Sequence, residues 1–381
     1  MRRLSPDPVL LPLVALLGAV PLWFAVVTVA RNRLVSGRPM LLLDAAHGPA
    51  AIVELAGMAL LVIATLSRLP LLAILASALV IGGLVWIAGD IAQAQVVTQP
   101  TARVSLGAGF WLMQALAALS LVEAARQTGR SGTALAITLL GAAAAALLMS
   151  GTLDALSILR EYFNRRDVLG PALLRHIEIV AMAVLPTLLV GVPLGVGCYR
   201  RAGLGRLVLP ILSVVQTIPS IALFGLMLAP LAALAAWQPA LARAGISGVG
   251  MAPAVLALML YSFLPIVSNT TAGLASVPEA VRDAARGIGM TNRQIFWQVE
   301  TRLAFPALLA GLRITIVQAI GLAAVAALIG AGGLGAIMFD GLFTGALDLA
   351  LLGAIPIIGL AVIADLLLRL ISPPATPRAT S

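Results

Sequence analysis

The chain has no lysine: all 24 of its Lys and Arg residues are Arg. A phosphate-binding P-loop needs a Gly-rich turn ending in Lys-Ser or Lys-Thr, so that nucleotide site is excluded. Cys198 is the single cysteine, which rules out an intramolecular disulfide and a multi-cysteine metal site. Histidine occurs twice, at 47 and 176, and no cluster of Ser/His or paired Asp lies at one depth to suggest an enzyme. His176 and Glu178 lie two apart, off a common helix face, and are expected to form an interfacial polar pair rather than a metal site. No catalytic and no metal residue is therefore named. Charged residues make up 10% of the chain against 61% hydrophobic ones, and the mean hydropathy is +1.08. Such a chain needs lipid as its solvent.

Only helices and closed barrels satisfy every backbone polar group in lipid. The apolar runs here are unbroken rather than alternating, which points to an all-α polytopic membrane protein. Runs of spanning length fall near 9–30, 49–66, 70–91, 105–125, 132–150, 174–197, 207–228, 249–272, 306–330 and 348–371, about ten transmembrane helices. The first run exceeds a signal-peptide h-region and is read as an uncleaved span. The expected organisation is a five-span region at 1–150, an amphipathic linker at 151–170, a five-span core at 171–372 and a cytoplasmic tail at 373–381.

The net charge of +9 belongs to loops rather than to a nucleic-acid surface. Arg2, Arg3, Arg68, Arg126, Arg130, Arg200, Arg201, Arg206 and the group from Arg282 to Arg302 fall on one side, the cytoplasmic side by the positive-inside rule. Arg31, Arg33, Arg38, Arg160, Arg165 and Arg166 fall on the other, against that bias.

The segment Ser276–Arg302, SVPEAVRDAARGIGMTNRQIFWQVETR, is polar enough to leave the bilayer yet rich in helix formers. Ser276 and Glu279 have capping-box spacing, Pro278 suits a first helical turn, and Gly287 and Gly289 are natural stops. A second capping box runs from Thr291 to Gln294, followed by Ile295, Phe296 and Val299 on one face. Two short helices around a glycine turn are expected, serving either as a plain connection or as a docking element.

Asp283-Ala284-Ala285, Gly289 and Ala304-Phe305-Pro306 resemble the EAA loop of ABC importer permeases. Asp283 stands where Glu is usual, and Thr301-Arg302 where an apolar-Pro pair is common. Gln216-Thr217-Ile218-Pro219-Ser220, Tyr261 to Thr270, and Gly330-Ala331-Gly332-Gly333-Leu334-Gly335 are similar to the permeases of osmoprotectant importers handling glycine betaine, choline, carnitine or related compounds. The five extra N-terminal spans are similar to an extended subgroup of them. The resemblance implies a bacterial inner-membrane subunit that is not itself an enzyme. It also implies a separate ATPase carrying ATP and Mg, a periplasmic or lipid-anchored solute-binding protein, a second permease chain, identical or paralogous, and membrane lipid. It assigns ATPase coupling to Glu279, Asp283, Ala284, Ala285, Gly289 and Pro306. The chain itself binds no cofactor and no nucleic acid in this reading.

Gly330, Gly332 and Gly335 fit G-x-G-x-x-G, but they follow a span and not a strand, so no dinucleotide site is implied. With Gly333 they are expected to form a tight or re-entrant turn, or a close helix approach, at an outer gate. Ser213, Gln216, Thr217 and Ser220 recur at i, i+3, i+4, i+7, and Pro219 within that stripe is expected to loosen the helix. Ser262 and Asn269, with Pro265, form a second stripe, and Thr315 with Gln318 a third. These polar groups either line a translocation path or bond between helices. Asp365 is expected to pair with Arg369 four residues on, and Arg313 to snorkel along its own helix. With aromatics at 4%, an aromatic cage for a quaternary ammonium belongs on a partner. Competing readings are a permease for another small solute such as an amino acid, or a stand-alone secondary transporter or channel, which would leave 276–302 without a purpose.

Overall fold

The structure, a computed structural model, describes residues 7–371 apart from 33, 34, 36, 46 and 244. Arg2, Arg3, Arg33 and the expected tail at 373–381 lie outside the described residues. Two compact units are present, Met1–Asn164 and Arg165–Ser381.

The first unit contains α1 Leu10–Trp23, α2 Leu42–Ala45, α3 Gly48–Ser67, α4 Pro70–Thr98, α5 Ala108–Thr128 and α6 Arg130–Met149. Fully buried Leu17, Leu61, Ile74, Leu84, Ile87 and Met113 make its core. A three-stranded antiparallel sheet, absent from the sequence reading, caps one end. In it β1 Val27–Ala30 lies between β2 Arg38–Met40 and β3 Arg103–Leu106. It corrects the first expected span. At about 1.5 Å per residue, the 14 residues of α1 reach roughly 21 Å, short of the ~30 Å hydrocarbon core. The run Val26-Val27-Thr28-Val29 then turns extended, because β-branched side chains fit a pleated sheet and two neighbouring strands supply its hydrogen bonds. At the same end Arg160 donates to the carbonyls of Ala102 and Pro100 at 2.9 and 3.2 Å, and Arg103 pairs with the buried Glu161 at 3.4 Å.

Helix α7, Ser157–Arg200, leaves helical geometry at Arg165 (φ −126°, ψ 17°), where the second unit begins. That unit continues with α8 Ala202–Thr217, α9 Ser220–Trp237, α10 Pro239–Arg243, α11 Met251–Ala275, α12 Glu279–Gly287 and α13 Asn292–Gln294. A π-helical turn Ile295–Glu300 leads into α14 Thr301–Val325, then a 3-10 turn Ala326–Ile329, α15 Leu334–Phe343 and α16 Leu347–Ile371. The run expected to span at 207–228 is two helices, because Pro219 disfavours helical geometry at Ile218 and itself sits at φ −54°, ψ 136° as the N-cap of α9. Helices α11 and α14 pack closely: a Cβ on Gly311 would stand 2.7 Å from the Cβ of Asn269, the small-residue seam that brings backbones together in lipid.

Among the described residues nine helices are long and apolar enough to cross a membrane, with α1, α8 and α15 as shorter apolar helices. The all-α polytopic class holds, with α1 replacing the first of the ten expected spans.

Candidate functional site: the 276–302 loop and the helices behind it

The loop is built differently at its two caps. Ser276 closes α11, its hydroxyl donating to the Gly273 carbonyl at 2.8 Å, so the expected Ser276–Glu279 capping box does not form. Pro278, φ −62° and ψ 139°, takes the N-cap place of α12 instead and supplies no side-chain acceptor. The end of α12 is a Schellman motif: Gly289 N donates to Arg286 O at 2.9 Å and Met290 N to Ala285 O at 3.1 Å, with Gly289 at φ +87°. The Thr291–Gln294 capping box is complete, its side chains and amides bonding at 2.8 and 3.4 Å. No separate second helix follows, contrary to the expectation. The backbone runs through the π turn straight into α14, and Pro306 lies exposed inside that helix.

Charge fastens this loop. Arg282 Nε lies 2.9 Å from Glu300 Oε1, and Arg282 Nη1 lies 2.6 Å from Glu279 Oε2. The Tyr199 hydroxyl donates to Glu300 at 3.1 Å, and Arg282 also donates to the Leu274 carbonyl at 3.2 Å. The Arg200 guanidinium sits 4.5 Å from the centre of the Phe296 ring. One buried acid on the π turn thus ties α12 to the ends of α7 and α11. On the outer face Arg286 pairs with Asp283 at 2.7 Å and Glu279 at 3.3 Å. Hydrogen bonds from Arg282, then Arg286, hold the Glu279 carboxyl below the usual range. Ala285 is buried and Ala284 exposed. Ile288, 81% exposed, and Trp297, 62% exposed, stand beside this acidic face, and a polar hollow of about 690 Å³ lined by Arg200, Arg286, Arg293, Trp297 and Glu300 adjoins it.

The sequence reading named neither Tyr199 nor Glu300. The signal was available in part: Phe296 and Glu300 share a helix face at i, i+4, so an acid stood where the loop's apolar face continued.

The polar residues behind the loop are arranged otherwise than as one stripe. The break at Ile218–Pro219 separates Ser220 from Ser213, Gln216 and Thr217. Ser213 and Thr217 donate to their own helix at Leu209 O and Val214 O. Gln216 reaches across to Tyr261 O on α11 at 2.7 Å, while the Tyr261 hydroxyl donates back to Ile218 O. The broken segment is therefore clamped to α11 from both sides. Asn269 donates to Pro265 O and Thr315 to Gly311 O. Ser262 and Thr315 are buried, and Ser220 and Gln318 half-buried.

Gly330, Gly332 and Gly333 have φ of +81°, +81° and +78°, a turn that α15 leaves to pack on α16. A Cβ on Gly335 would fall 2.0 Å from Ala324 O, a backbone clash with no room to yield. His176 is fully buried with Nε2 3.0 Å from Ile320 O, while Glu178 pairs with Arg175 at 2.9 Å. The expected His176–Glu178 pair is not made, since the two side chains leave the helix on different faces. Asp365 pairs with Arg369 at 2.7 Å as expected and also with Arg313 at 3.0 Å. Arg313 thus bonds to the neighbouring helix α16 rather than snorkelling along its own, because a carboxylate is within reach. Arg165, expected to stand against the charge bias, is bound to Asp340 at 3.0 Å.

A family model described as "Binding-protein-dependent transport system inner membrane component" matches residues 187–376, which include the whole loop. The osmoprotectant import permease protein OsmW of Salmonella typhimurium is 42% identical over 208 residues, covering 54% of this chain and 90% of OsmW. The chain belongs to this permease family. The glycine betaine/carnitine/choline transport system permease protein OpuCB of Bacillus subtilis is 36% identical, covering 53% of this chain and 86% of that protein. The osmoprotectant import permease protein OsmY of Salmonella typhimurium is 38% identical, covering 51% and 76%. A second model, described as "ABC transporter permease YehY, N-terminal domain", matches residues 5–159. The permease is accordingly a multi-pass inner-membrane protein, and its charge-fastened loop lies within residues 187–376 that the family model matches.

Proposed function

We propose that this permease translocates a small osmoprotectant, such as glycine betaine or a related quaternary amine, driven by a separate ATPase that docks on the 276–302 loop. The observation that carries the coupling role is the Tyr199–Glu300–Arg282–Glu279 chain of contacts. A push on α12 would pass through Arg282 and Glu300 into α14, and through Tyr199 into α7, instead of being absorbed in a soft connection. Exposed Ile288 and Trp297 beside Asp283 and Glu279 offer a mixed apolar and acidic docking face, placed on the cytoplasmic side. The relatives' names support the substrate class. A solute-binding protein delivers the solute, and a second permease chain completes the path, to which Gln216, Ser220, Ser262, Asn269, Thr315 and Gln318 contribute. Residues 171–372 form the transport core in this reading, with 1–150 an attached membrane region and 151–170 the link between them.

The test is co-purification of the permease with its ATPase and binding protein, followed by ATP hydrolysis in vesicles with candidate betaines and with amino acids. Betaine-stimulated hydrolysis is expected, and it should disappear in Gly289→Val, where a β-branched residue is strained at φ +87°. Stimulation by amino acids alone would overturn the substrate class, and uptake without any ATPase would overturn the coupling.

A further inference from the structure

Glu54 lies in the first half of α3, and its side chain is fully buried. Neither carboxyl oxygen has a hydrogen-bond partner. Gly83 on the adjoining α4 makes the space it occupies: a Cβ there would stand 2.6 Å from Glu54 Oε2. Charge that could balance it is remote on every element packed against it. Glu54 is the one charged residue of α3, Asp90 the one in α4, and α1 has none. Asp90 is exposed and seven positions beyond Gly83, roughly 10 Å along the helix. Asp44 and His47, both exposed, precede α3, and Arg68 follows it.

An unpaired carboxylate in an apolar interior carries a very large solvation cost, and such a group takes up a proton instead. A hard cation would need several oxygen ligands. Among the described residues no group of three His, Cys, Asp or Glu is placed to hold one. We propose that Glu54 is a proton-binding site of the N-terminal unit, holding its proton at neutral pH and releasing it only when α3 and α4 part to admit water. An ionisable group inside a membrane is rare and is by default functional. The small residue at Gly83 keeps the carboxyl enclosed without giving it a partner, which leaves proton occupancy as the variable that sets the packing of these two helices.

The test uses the full-length permease in lipid nanodiscs. A membrane-soluble carbodiimide, dicyclohexylcarbodiimide, adds to a carboxylic acid with the acid proton passing to the carbodiimide nitrogen. Mass spectrometry should find the adduct on Glu54, with yield falling as pH rises, and a water-soluble carbodiimide should leave Glu54 unmodified. Infrared spectra should show a protonated carboxylic acid band at neutral pH that is missing in the isosteric Glu54→Gln. Wild type, but not Glu54→Gln, should lose thermal stability from neutral to alkaline pH. Equal labelling by both reagents, or a spectrum unchanged by Glu54→Gln, would overturn the proposal. The labelling arm needs no variant, so a failure of Glu54→Gln to fold would not protect it.

Discussion

Two buried acids, Glu300 of the second unit and Glu54 of the first, are held in opposite ways, whereas Glu161 of the first unit is paired with Arg103. In the second unit Glu300 on the π turn is met by Arg282 and Tyr199, and Asp365 within α16 is met by Arg313 and Arg369. In the first, Glu54 is enclosed by apolar helices with no partner at all. A paired charge transmits force between elements, because moving one partner costs energy at the other. An unpaired acid transmits nothing and instead responds to solvent. In the reading proposed above, the contrast is between a charge cluster suited to mechanical coupling, around Glu300, and a helix pair whose packing follows the protonation of Glu54.

Removing the acid should therefore have opposite consequences in the two places. Glu300→Ala leaves Arg282, whose side chain is 13% exposed, without its buried partner, and loss of one member of a buried pair costs about 3 kcal/mol. A large fall in the thermal midpoint and loss of uptake are expected. Glu54→Leu replaces an unsatisfied polar group by an apolar one of similar length, a change that should be neutral or stabilise by about 1 kcal/mol. Differential scanning fluorimetry of both variants in the same detergent checks the pair. Equal destabilisation by both would erase the contrast.

How much of this was legible in the sequence depends on whether the signal was local. The helical membrane class follows from unbroken apolar runs, and the Thr291–Gln294 cap and the Gly289 turn follow from residue types that serve one local geometry each. The sheet was missed because Val26–Val29 is as apolar as the helix before it, and its strand character comes from partners at 38–40 and 103–106. The 207–228 run read as one helix because hydropathy does not register the break that Pro219 imposes on Ile218. The Glu300–Arg282–Tyr199 cluster joins residues 18 and 83 positions apart, and Arg313–Asp365 joins two different helices. Tertiary pairings of that kind leave no periodicity to read.

A smaller effect on stability, though not on function, is expected from Asp283→Arg. Asp283 is 63% exposed and pairs only across the surface with Arg286, an interaction worth about 0–1 kcal/mol. The thermal midpoint should move little, while reversed charge on the docking face should reduce ATPase co-purification and uptake together. If the midpoint falls as far as in Glu300→Ala, the outer face is as structural as the inner one, and the division between fastening and docking residues is lost.

The smallest effect concerns pH and tests whether the outer face of α12 relies on charge as the inner one does. Hydrogen bonds from Arg282 and Arg286 hold the Glu279 carboxyl below its ordinary value of 4.5. A carboxyl that binds its proton less readily when folded adds stability that is present above the unfolded value and is lost as pH falls through the folded one. Acidification from neutral pH to below 4.5 should thus loosen α12, seen as lower amide protection factors across Glu279–Gly287 once the pH dependence of intrinsic exchange is divided out. Glu279→Gln should remove the acid-dependent part of that change while exchanging somewhat faster at neutral pH. An α12 with the same protection factors at both pH values in wild type and Glu279→Gln would show that Glu279 contributes nothing to holding the loop.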